Sequence, residues 1–373
     1  MQQSGFKVGT VLGIEIWLDY SWLILFFLIG ALFTFGILPT QFPRLSQLAR
    51  IVAGIIATLL FFGSVLLHEL SHSLYAKSQG LKIRRITLFI FGGASELIDE
   101  PKSPRQEIIL AGVGPLTSLG LSALFGIVLL LGRQLSYVPL IAIGSSLAAI
   151  NLTLAIFNLL PGFPLDGGRV FRGIIWKITG NLEKATRTAT QVGKILAIML
   201  IGYGLVEVLL AGLFGGLWLI FIGFFLYQAA AASYEQIMSR LLLQDKTVND
   251  LMERRFVAAP RHMLVRDFLQ EYVVRYQDPI VLVRADTSHA AGLVDARQLP
   301  KSALDTPIGE FAYSGAILHP QDSAVHALDA LTRSRLSKLP VTKNRELVGV
   351  LTVNRIKTYV LGTARLRATG NHT

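Results

Sequence analysis

Long stretches without a charged residue recur along the first 240 residues of the chain. Five of them reach the length at which an α-helix crosses a bilayer, at least about 17 residues. A sixth, Thr188–Leu210, is interrupted only by Lys194 and Glu207. The pattern therefore predicts six transmembrane helices. The five uncharged stretches are Tyr20–Pro43, Ile51–Leu67, Ile108–Gly132, Gln134–Leu165 and Val208–Tyr234.

The charge density changes where the apolar stretches end. Residues 1–240 carry 28 charged side chains, whereas the shorter segment 241–373 carries 31. Over the whole chain 16% of residues are charged, against about 25% in an ordinary soluble protein. The chain has no cysteine, which excludes disulfides, cysteine-ligated metals and a cysteine nucleophile. We interpret residues 1–243 as a polytopic α-helical membrane domain with a short β-strand element, and residues 244–373 as a soluble α/β domain.

Basic residues indicate how the spans are oriented, because lysine and arginine concentrate in cytoplasmic loops. Two connections, after the second and the fourth span, are rich in them, whereas Arg44, Arg50 and Arg133 fall on the opposite side. We expect both termini and the soluble domain in the cytoplasm, most simply at a bacterial inner (plasma) membrane, with a plastid membrane as the alternative. The basic residues of the two connections are Lys77, Lys82, Arg84, Arg85, Lys102 and Arg105, then Arg169, Arg172, Lys177, Lys184 and Arg187.

The sequence His-Glu-Leu-Ser-His stands at residues 68–72. On a helix, His68 and His72 share one face and can present nitrogen atoms to one zinc ion, with Glu69 beside them to act on water. The alternative is a polar cluster at a helix end on the membrane surface. From Ile51 to His68 the helix rises about 25 Å. If this span enters from outside, the motif lies within the bilayer, nearer its cytoplasmic face.

A third metal ligand is expected, since catalytic zinc usually has three from the protein. Asp166 is the best candidate, because it follows the fourth span in a proline- and glycine-rich segment that cannot stay helical. Irregular backbone near membrane depth lines a wet cavity or is buried in protein. The alternative for Asp166 is a helix cap in an interfacial loop. Asn158, one turn before the break, can donate to a developing oxyanion or bond freed carbonyls near Pro161.

Residues Arg84–Phe91 are rich in isoleucine, phenylalanine and threonine and are followed by Gly92 and Gly93. This composition predicts a β-strand. A strand near the metal can pair with an extended substrate by β-augmentation. The alternative is a hairpin that covers the cytoplasmic mouth of the site, and both descriptions can hold together.

With these motifs, residues 1–240 resemble the site-2 protease family of intramembrane zinc metalloproteases. The resemblance rests on HELSH at 68–72, on Gly114-Pro115 and on NLLPGFPLDGG at 158–168. It implies a six-span fold that hydrolyses peptide bonds within the membrane helices of single-pass proteins, such as membrane-anchored regulators. The chain departs from the family at Ser118, where asparagine is common three residues after the proline.

The resemblance also implies a role for each candidate residue. One catalytic Zn²⁺ per chain is bound by His68, His72 and Asp166. Glu69 is the general base, and Asn158 lies near the scissile carbonyl. The substrate-pairing strand contains Phe91, Gly92 and Gly93. Two other classes of function compete with this one: a metal transporter or channel, and an inactive relative that serves as a binding scaffold.

An internal repeat organises the tail. Val248, Leu251 and Pro260 recur 60 residues later as Ile308, Phe311 and Pro320, so each copy is expected to form strand, helix, strand, strand, helix. The tail resembles a tandem pair of CBS domains, which implies an adenine nucleotide between the copies and modulation of the protease.

The ribose-binding acid of the CBS family is missing from both copies. Asp295 and Gln298 replace the expected Ser/Thr and Asp in the first copy, and the second copy keeps Thr352 but has Arg355 in place of the acid. A structural or dimerising role is therefore the alternative for the pair. Nucleic-acid binding is not expected, because the basic residues of the tail are balanced by acids.

Overall fold

The computed structural model describes residues 5–43, 45–90, 92–97, 100–210, 213–284, 292–313, 317–334, 336–344 and 346–370. Contacts divide the chain into two compact units, residues 1–234 and 235–373. Six helices in the described residues are long and apolar enough to cross a membrane, which confirms the predicted fold class. The helices that begin in the first unit are α1 (Tyr20–Gln41), α2 (Gln47–Ser78), α3 (Pro104–Gln134), α4 (Val138–Asn158), the shorter α5 (Asp166–Thr179), α6 (Leu182–Leu210) and α7 (Leu213–Leu243).

A four-stranded sheet accompanies the helices. Its order is β1-β2-β3-β4, with β2 parallel to β3 and the other pairs antiparallel. Strand β3 agrees with the strand that the sequence predicts, whereas β1 and β2 are not predicted from the sequence. Gly92 and Gly93 begin β4 instead of ending the preceding strand. The strands are β1 (Gly5–Val11), β2 (Ile14–Asp19), β3 (Ile83–Phe89) and β4 (Gly92–Leu97).

The sheet packs against the half of α2 that contains the HELSH sequence. Ile86 and Leu88 of β3 are buried in one apolar cluster with Ile14 of β2 and with Val65 and Leu70 of α2. Alternate residues of a strand point to one face, so β3 presents this apolar face to the helix. The packing holds β4, the next strand of the sheet, beside the same helix.

The helical structure breaks between α4 and α5, as the prolines and glycines predict. α4 ends at Asn158 and α5 begins at Asp166, so the aspartate is the first residue of a helix and not part of the loop itself. The loop lies directly against α6: a side chain on Gly162 would collide with Gly193, and Phe163 N–H donates to Ala189 O. Such close packing of two backbones requires glycine.

The second unit contains two copies of a similar arrangement. In the first, β5 is parallel to β6, which is antiparallel to β7; in the second, β8 and β9 are antiparallel and Leu318 bridges Val341 in parallel, where β5 would stand. The elements are α8 (Val248–Leu251), β5 (Ala258–Ala259), α9 (Val265–Phe268), β6 (Ile280–Val283), β7 (Gly292–Asp295), α10 (Ala324–Ser334), β8 (Lys338–Lys343), β9 (Glu346–Thr352) and α11 (Val353–Gly370).

The copies differ at their ends. The final helix expected in the first copy is only a 3₁₀ turn, Ala296–Gln298, whereas the second copy ends in the long helix α11. Pro300 follows the turn and cannot donate the hydrogen bond that a longer helix needs. The 60-residue repeat in the sequence therefore predicts the core that the two copies share, but not how each copy ends.

A buried ion pair fastens α5 to α3. Glu107 of α3 has no exposed surface and Arg172 of α5 is only 2% exposed. Arg172 Nη2 donates to Glu107 Oε1 at 2.6 Å, and Arg169 Nε donates to the same oxygen at 3.3 Å. The guanidinium of Arg172 also lies over the ring of Phe163, 5.3 Å from its centre. These contacts fix the helix that begins with Asp166.

Removal of the Glu107 charge is expected to destabilise the membrane domain strongly. Glu107→Gln leaves Arg172 buried without its charged partner, which costs about 3–5 kcal/mol. The matched control is Glu100→Gln: Glu100 is 3.7 Å from Arg172, but its side chain is 44% exposed, and an exposed pair contributes about 0–1 kcal/mol. Unfolding of both variants is measured in detergent. Equal losses of stability would show that the buried pair has no special role.

Candidate metal centre

Three side chains converge at one point of the membrane domain. His68 Nε2 lies 3.1 Å from Asp166 Oδ2, His72 Nε2 lies 3.3 Å from the same oxygen, and the two nitrogen atoms are 3.3 Å apart. Ligand atoms about 2.0–2.1 Å from a tetrahedral zinc ion lie about 3.3–3.4 Å from one another. The triangle therefore has the size, and the two nitrogens and one carboxylate oxygen have the chemistry, of three zinc ligands.

Each histidine is oriented by a contact at Nδ1, the ring nitrogen that is not part of the triangle. His72 Nδ1 lies 2.6 Å from Leu110 O, and a carbonyl oxygen only accepts, so Nδ1 carries the proton and Nε2 keeps its lone pair. His68 Nδ1 lies 2.9 Å from Ser118 Oγ. Such outer partners set the tautomer and the ring orientation of metal-binding histidines. Helix α3 thus orients both imidazoles through Leu110 and Ser118.

Helix α3 also leaves the space between the imidazoles open. A Cβ atom on Gly114 would collide with His72 Nε2 and would lie 2.7 Å from His68 Nε2. A side chain at this position would fill the space between the nitrogen atoms, where a metal ion belongs. This close approach explains the glycine of Gly114-Pro115, which sequence reasoning identified without a physical cause.

Asp166 is largely shielded from solvent, with 16% of its side chain exposed. Helix α5, to which it belongs, is not among the six spanning helices. Its Oδ2 atom, in contact with both histidine nitrogens, is the kind of carboxylate oxygen that ligates a divalent cation.

Glu69 lies next to the triangle on α2 and contacts strand β4. Ser95 Oγ donates to Glu69 Oε2 at 3.0 Å, and Ser73 Oγ donates to Ser95 Oγ at 3.0 Å. A Cβ atom on Gly93 would collide with Glu69 Cγ, so the backbone of β4 lies directly against this side chain. The strand and the acidic residue of the HELSH sequence are therefore in contact.

The remaining predicted site residues are Asn158, Gly92 and Phe91. Asn158 is the last residue of α4 and is half-buried. Among the described residues its amide has no hydrogen-bond partner, so it is not bonded to the carbonyls near Pro161, and its contact with an oxyanion stays a prediction. Gly92 has φ = 125°, a conformation that favours glycine, and it pairs with Phe89 at the start of β4. Phe91 lies outside the described residues.

Several residues that contact the triangle or Glu69 were not predicted from the sequence. Ser73 stands four residues after Glu69, a spacing that places both on one face of a helix, so that signal was available. Ser95 and Leu110 carry no comparable signal, since only the packing of β4 and α3 brings them to the site. Ser118 appeared only as a departure from a family pattern, and the structure places its hydroxyl on His68.

Comparison with known sequences gives matches in both units. The model of peptidase family M50 matches residues 55–142 and 134–200, and that of the CBS domain matches residues 316–362. Over 94% of its length the chain is 32% identical to Rip3 of Mycobacterium tuberculosis, which is named as a zinc metalloprotease, and the match covers 91% of that protein. It is 33% identical to sll0528 of Synechocystis, named likewise, over 93% of each chain.

A solved structure also resembles the chain. The site-2 protease of Methanocaldococcus jannaschii is 29% identical, with a TM-score of 0.42, over 61% of this chain and 94% of that one. The family assignment rests on the sequence matches, which extend over nearly the full length of Rip3 and of this chain. Its described residues contain six helices that are long and apolar enough to span a membrane, so the chain is an integral membrane protein. It belongs to peptidase family M50, the site-2 protease family.

Proposed function

We propose that this chain hydrolyses peptide bonds within the transmembrane segments of single-pass membrane proteins, such as membrane-anchored regulators. As a member of family M50 it is a zinc metalloprotease. The observation that carries the proposal is the triangle of His68, His72 and Asp166, with Glu69 beside it. These groups lie on or next to helices that are long and apolar enough to span a membrane.

The triangle would hold one Zn²⁺ per chain through His68 Nε2, His72 Nε2 and Asp166 Oδ2. When bound, the ion supplies a Lewis acid that acidifies water and polarises a peptide carbonyl. Glu69 accepts the proton of the attacking water and returns it to the amide nitrogen that leaves. Hydrolysis thus forms a bond between the water oxygen and the carbonyl carbon and breaks the carbon–nitrogen bond of the peptide. The proton ends on the new amine. Asn158 would donate to the oxygen on which negative charge develops.

Strand β4 provides a place for the substrate backbone. In the described part of the chain it is one of the two edge strands of its sheet, and its residue Gly93 contacts Glu69. A substrate helix hides its peptide carbonyls in its own hydrogen bonds, so it must unwind before hydrolysis. We infer that the unwound segment adds to the edge of β4 at Gly92 and Gly93, which would hold it extended beside the metal site.

The number of spans and the basic connections between them predict how the chain is arranged in the membrane. An even number of spans returns the chain to the side on which it started, and the basic connections after α2 and α4 favour the cytoplasmic side for the metal centre. We propose both termini and the tail in the cytoplasm at a bacterial inner membrane.

The tail has a cavity that is lined by residues of both CBS copies. A cavity of about 250 Å³ lies between its two copies and is lined by Phe256, Tyr272 and Tyr276, with Arg255 and Thr352 also on its wall. Aromatic rings suit a purine and a basic side chain suits a phosphate. We propose an adenine nucleotide as the ligand and regulation of proteolysis as its consequence, together with a homodimer formed through the CBS pair.

We propose that Glu253 takes the place of the missing ribose-binding acid. Thr352 Oγ1 donates to Glu253 Oε1 at 3.3 Å, and Glu253 lines the cavity. By contrast, Asp295 of the first copy is held by Arg297, whose hydrogen bonds keep the pKa of that carboxyl below its ordinary value. Asp278 also lines the cavity, but it accepts from Lys338 at 2.6 Å, so we propose Glu253 as the carboxylate that would meet ribose hydroxyls.

Replacement of Glu69 by glutamine should abolish proteolysis and leave the metal bound. A general base contributes about 10²–10⁴-fold to rate, and glutamine keeps the shape but cannot accept the proton. The purified chain is assayed in liposomes on single-pass reporters, with bound zinc quantified and with Glu15→Gln, an exposed acid on β2, as the control. Zinc bound without cleavage by the unaltered chain would favour transport or a scaffold role.

Loss of the Ser118 hydroxyl should weaken zinc binding. Without it His68 loses the partner that orients its ring, and such outer-partner changes lower metal affinity about 10–100-fold. Ser118→Ala is compared with Ser122→Ala, one turn further along α3, whose hydroxyl donates to Ala148 O instead. Zinc affinity is measured by competition with a chelator. An unchanged affinity in Ser118→Ala would remove the hydroxyl from the metal site.

Adenine-nucleotide binding is tested on the full chain by calorimetry with AMP and ATP. Glu253→Gln is expected to weaken binding about tenfold, because it loses a charged acceptor. Glu346→Gln, which changes an exposed acid of the tail, should bind normally. Absence of heat with either nucleotide would leave the tail with its structural or dimerising role.

A further inference from the structure

The hydroxyl of Ser95 links strand β4 to the acidic residue of the HELSH helix. Ser95 Oγ lies 3.0 Å from Glu69 Oε2 and 3.3 Å from the main-chain oxygen of the same residue. A serine hydroxyl has one proton to donate, and the shorter contact is with the carboxylate. A hydrogen bond to a charged acceptor is about twice as strong as one between neutral groups. Ser95 is therefore a donor to Glu69.

The donor is itself held in place. Ser73 Oγ donates to Ser95 Oγ at 3.0 Å, and Ser73 has no exposed surface. Ser73 lies one turn after Glu69 on α2, so Ser95 bridges two positions of one helix. Because Ser95 accepts from Ser73, its own proton is directed to Glu69.

Gly93 restricts Glu69 from another direction. A Cβ atom on Gly93 would collide with Glu69 Cγ and would lie 3.0 Å from Cδ and 3.2 Å from Oε1. The backbone of β4 thus limits where the side chain can turn, and the Ser95 hydroxyl fixes one carboxylate oxygen. The other oxygen, Oε1, is left to take up a proton.

We propose that Ser95 is a positioning residue for the general base. This inference rests on the proposed function, and it adds that the strand expected to pair with substrate also sets the orientation of Glu69. A substrate segment and the base then share one support, because both are bonded to β4. The reaction is unchanged: Ser95 keeps its proton, and Glu69 Oε1 accepts the proton of water.

The experiment compares the full-length chain with Ser95→Ala, Ser95→Thr and Ser78→Ala in liposomes. Ser78 lies on the same helix as Glu69, and its hydroxyl donates to Tyr75 O, so it is the control. We expect kcat of Ser95→Ala to fall about 10- to 100-fold, as for a lost hydrogen bond to a charged group. KM and bound zinc should not change, and threonine, which keeps the hydroxyl, should restore most of kcat.

A second measurement does not depend on turnover. A peptide hydroxamate binds the metal of such a protease and transfers its acidic proton to the base, so its affinity reports the position of Glu69. Calorimetry should show weaker hydroxamate binding to Ser95→Ala than to Ser78→Ala and recovery in Ser95→Thr. If the unaltered chain cleaves no reporter, the proposed function fails, but this difference in affinity would still support the role of Ser95.

Three results would overturn the inference. A wild-type kcat in Ser95→Ala would show that Glu69 needs no such support. Loss of zinc in this variant would mean that the hydroxyl maintains the metal site. A rise in KM with kcat unchanged would assign Ser95 to substrate pairing alone.

Discussion

The close approach of helix α3 to the two imidazoles is the constraint on which the rest of the metal centre depends. Gly114 lies where any side chain would fill the space between His68 Nε2 and His72 Nε2. The same helix accepts from His72 at Leu110 and contacts His68 at Ser118. A small displacement of α3 would therefore disturb the space, the tautomer and the ring orientation together. The helix acts as one wall of the site, although it supplies no ligand.

The position of Asp166, the proposed third ligand, depends on α3 through a buried charge. Glu107 lies on α3 about two turns before Gly114 and is bonded to Arg172 and Arg169 of α5, the helix that Asp166 begins. An ion pair this deeply buried is a poor source of stability compared with apolar packing, but it loses much when one partner is removed. Its effect here is geometric, because it sets where α5 starts.

Local patterns predicted much of the centre, and packing supplied what they could not. The spacing of His68 and His72 is fixed by one helix, and the proline–glycine break identified Asp166, 98 residues from His68. Strands β1 and β2 were missed, although Ile14 and Ile16 alternate with Glu15 and Trp17. The contacts of Ser95 and Ser118 depend on how β4 and α3 dock on α2, which no local pattern records.

The antiparallel pairing of β3 with β4 leaves the other edge of β4 without a partner among the described strands. Side chains along a strand alternate between two faces, so a peptide added to this edge keeps the same faces only if it shifts by two residues. A shift by one residue would move every side chain of the added peptide to the opposite face of the sheet. For an unwound substrate on this edge, the peptide bonds presented to Glu69 would therefore be spaced two residues apart, and alternative cleavage products would differ in length by pairs of residues.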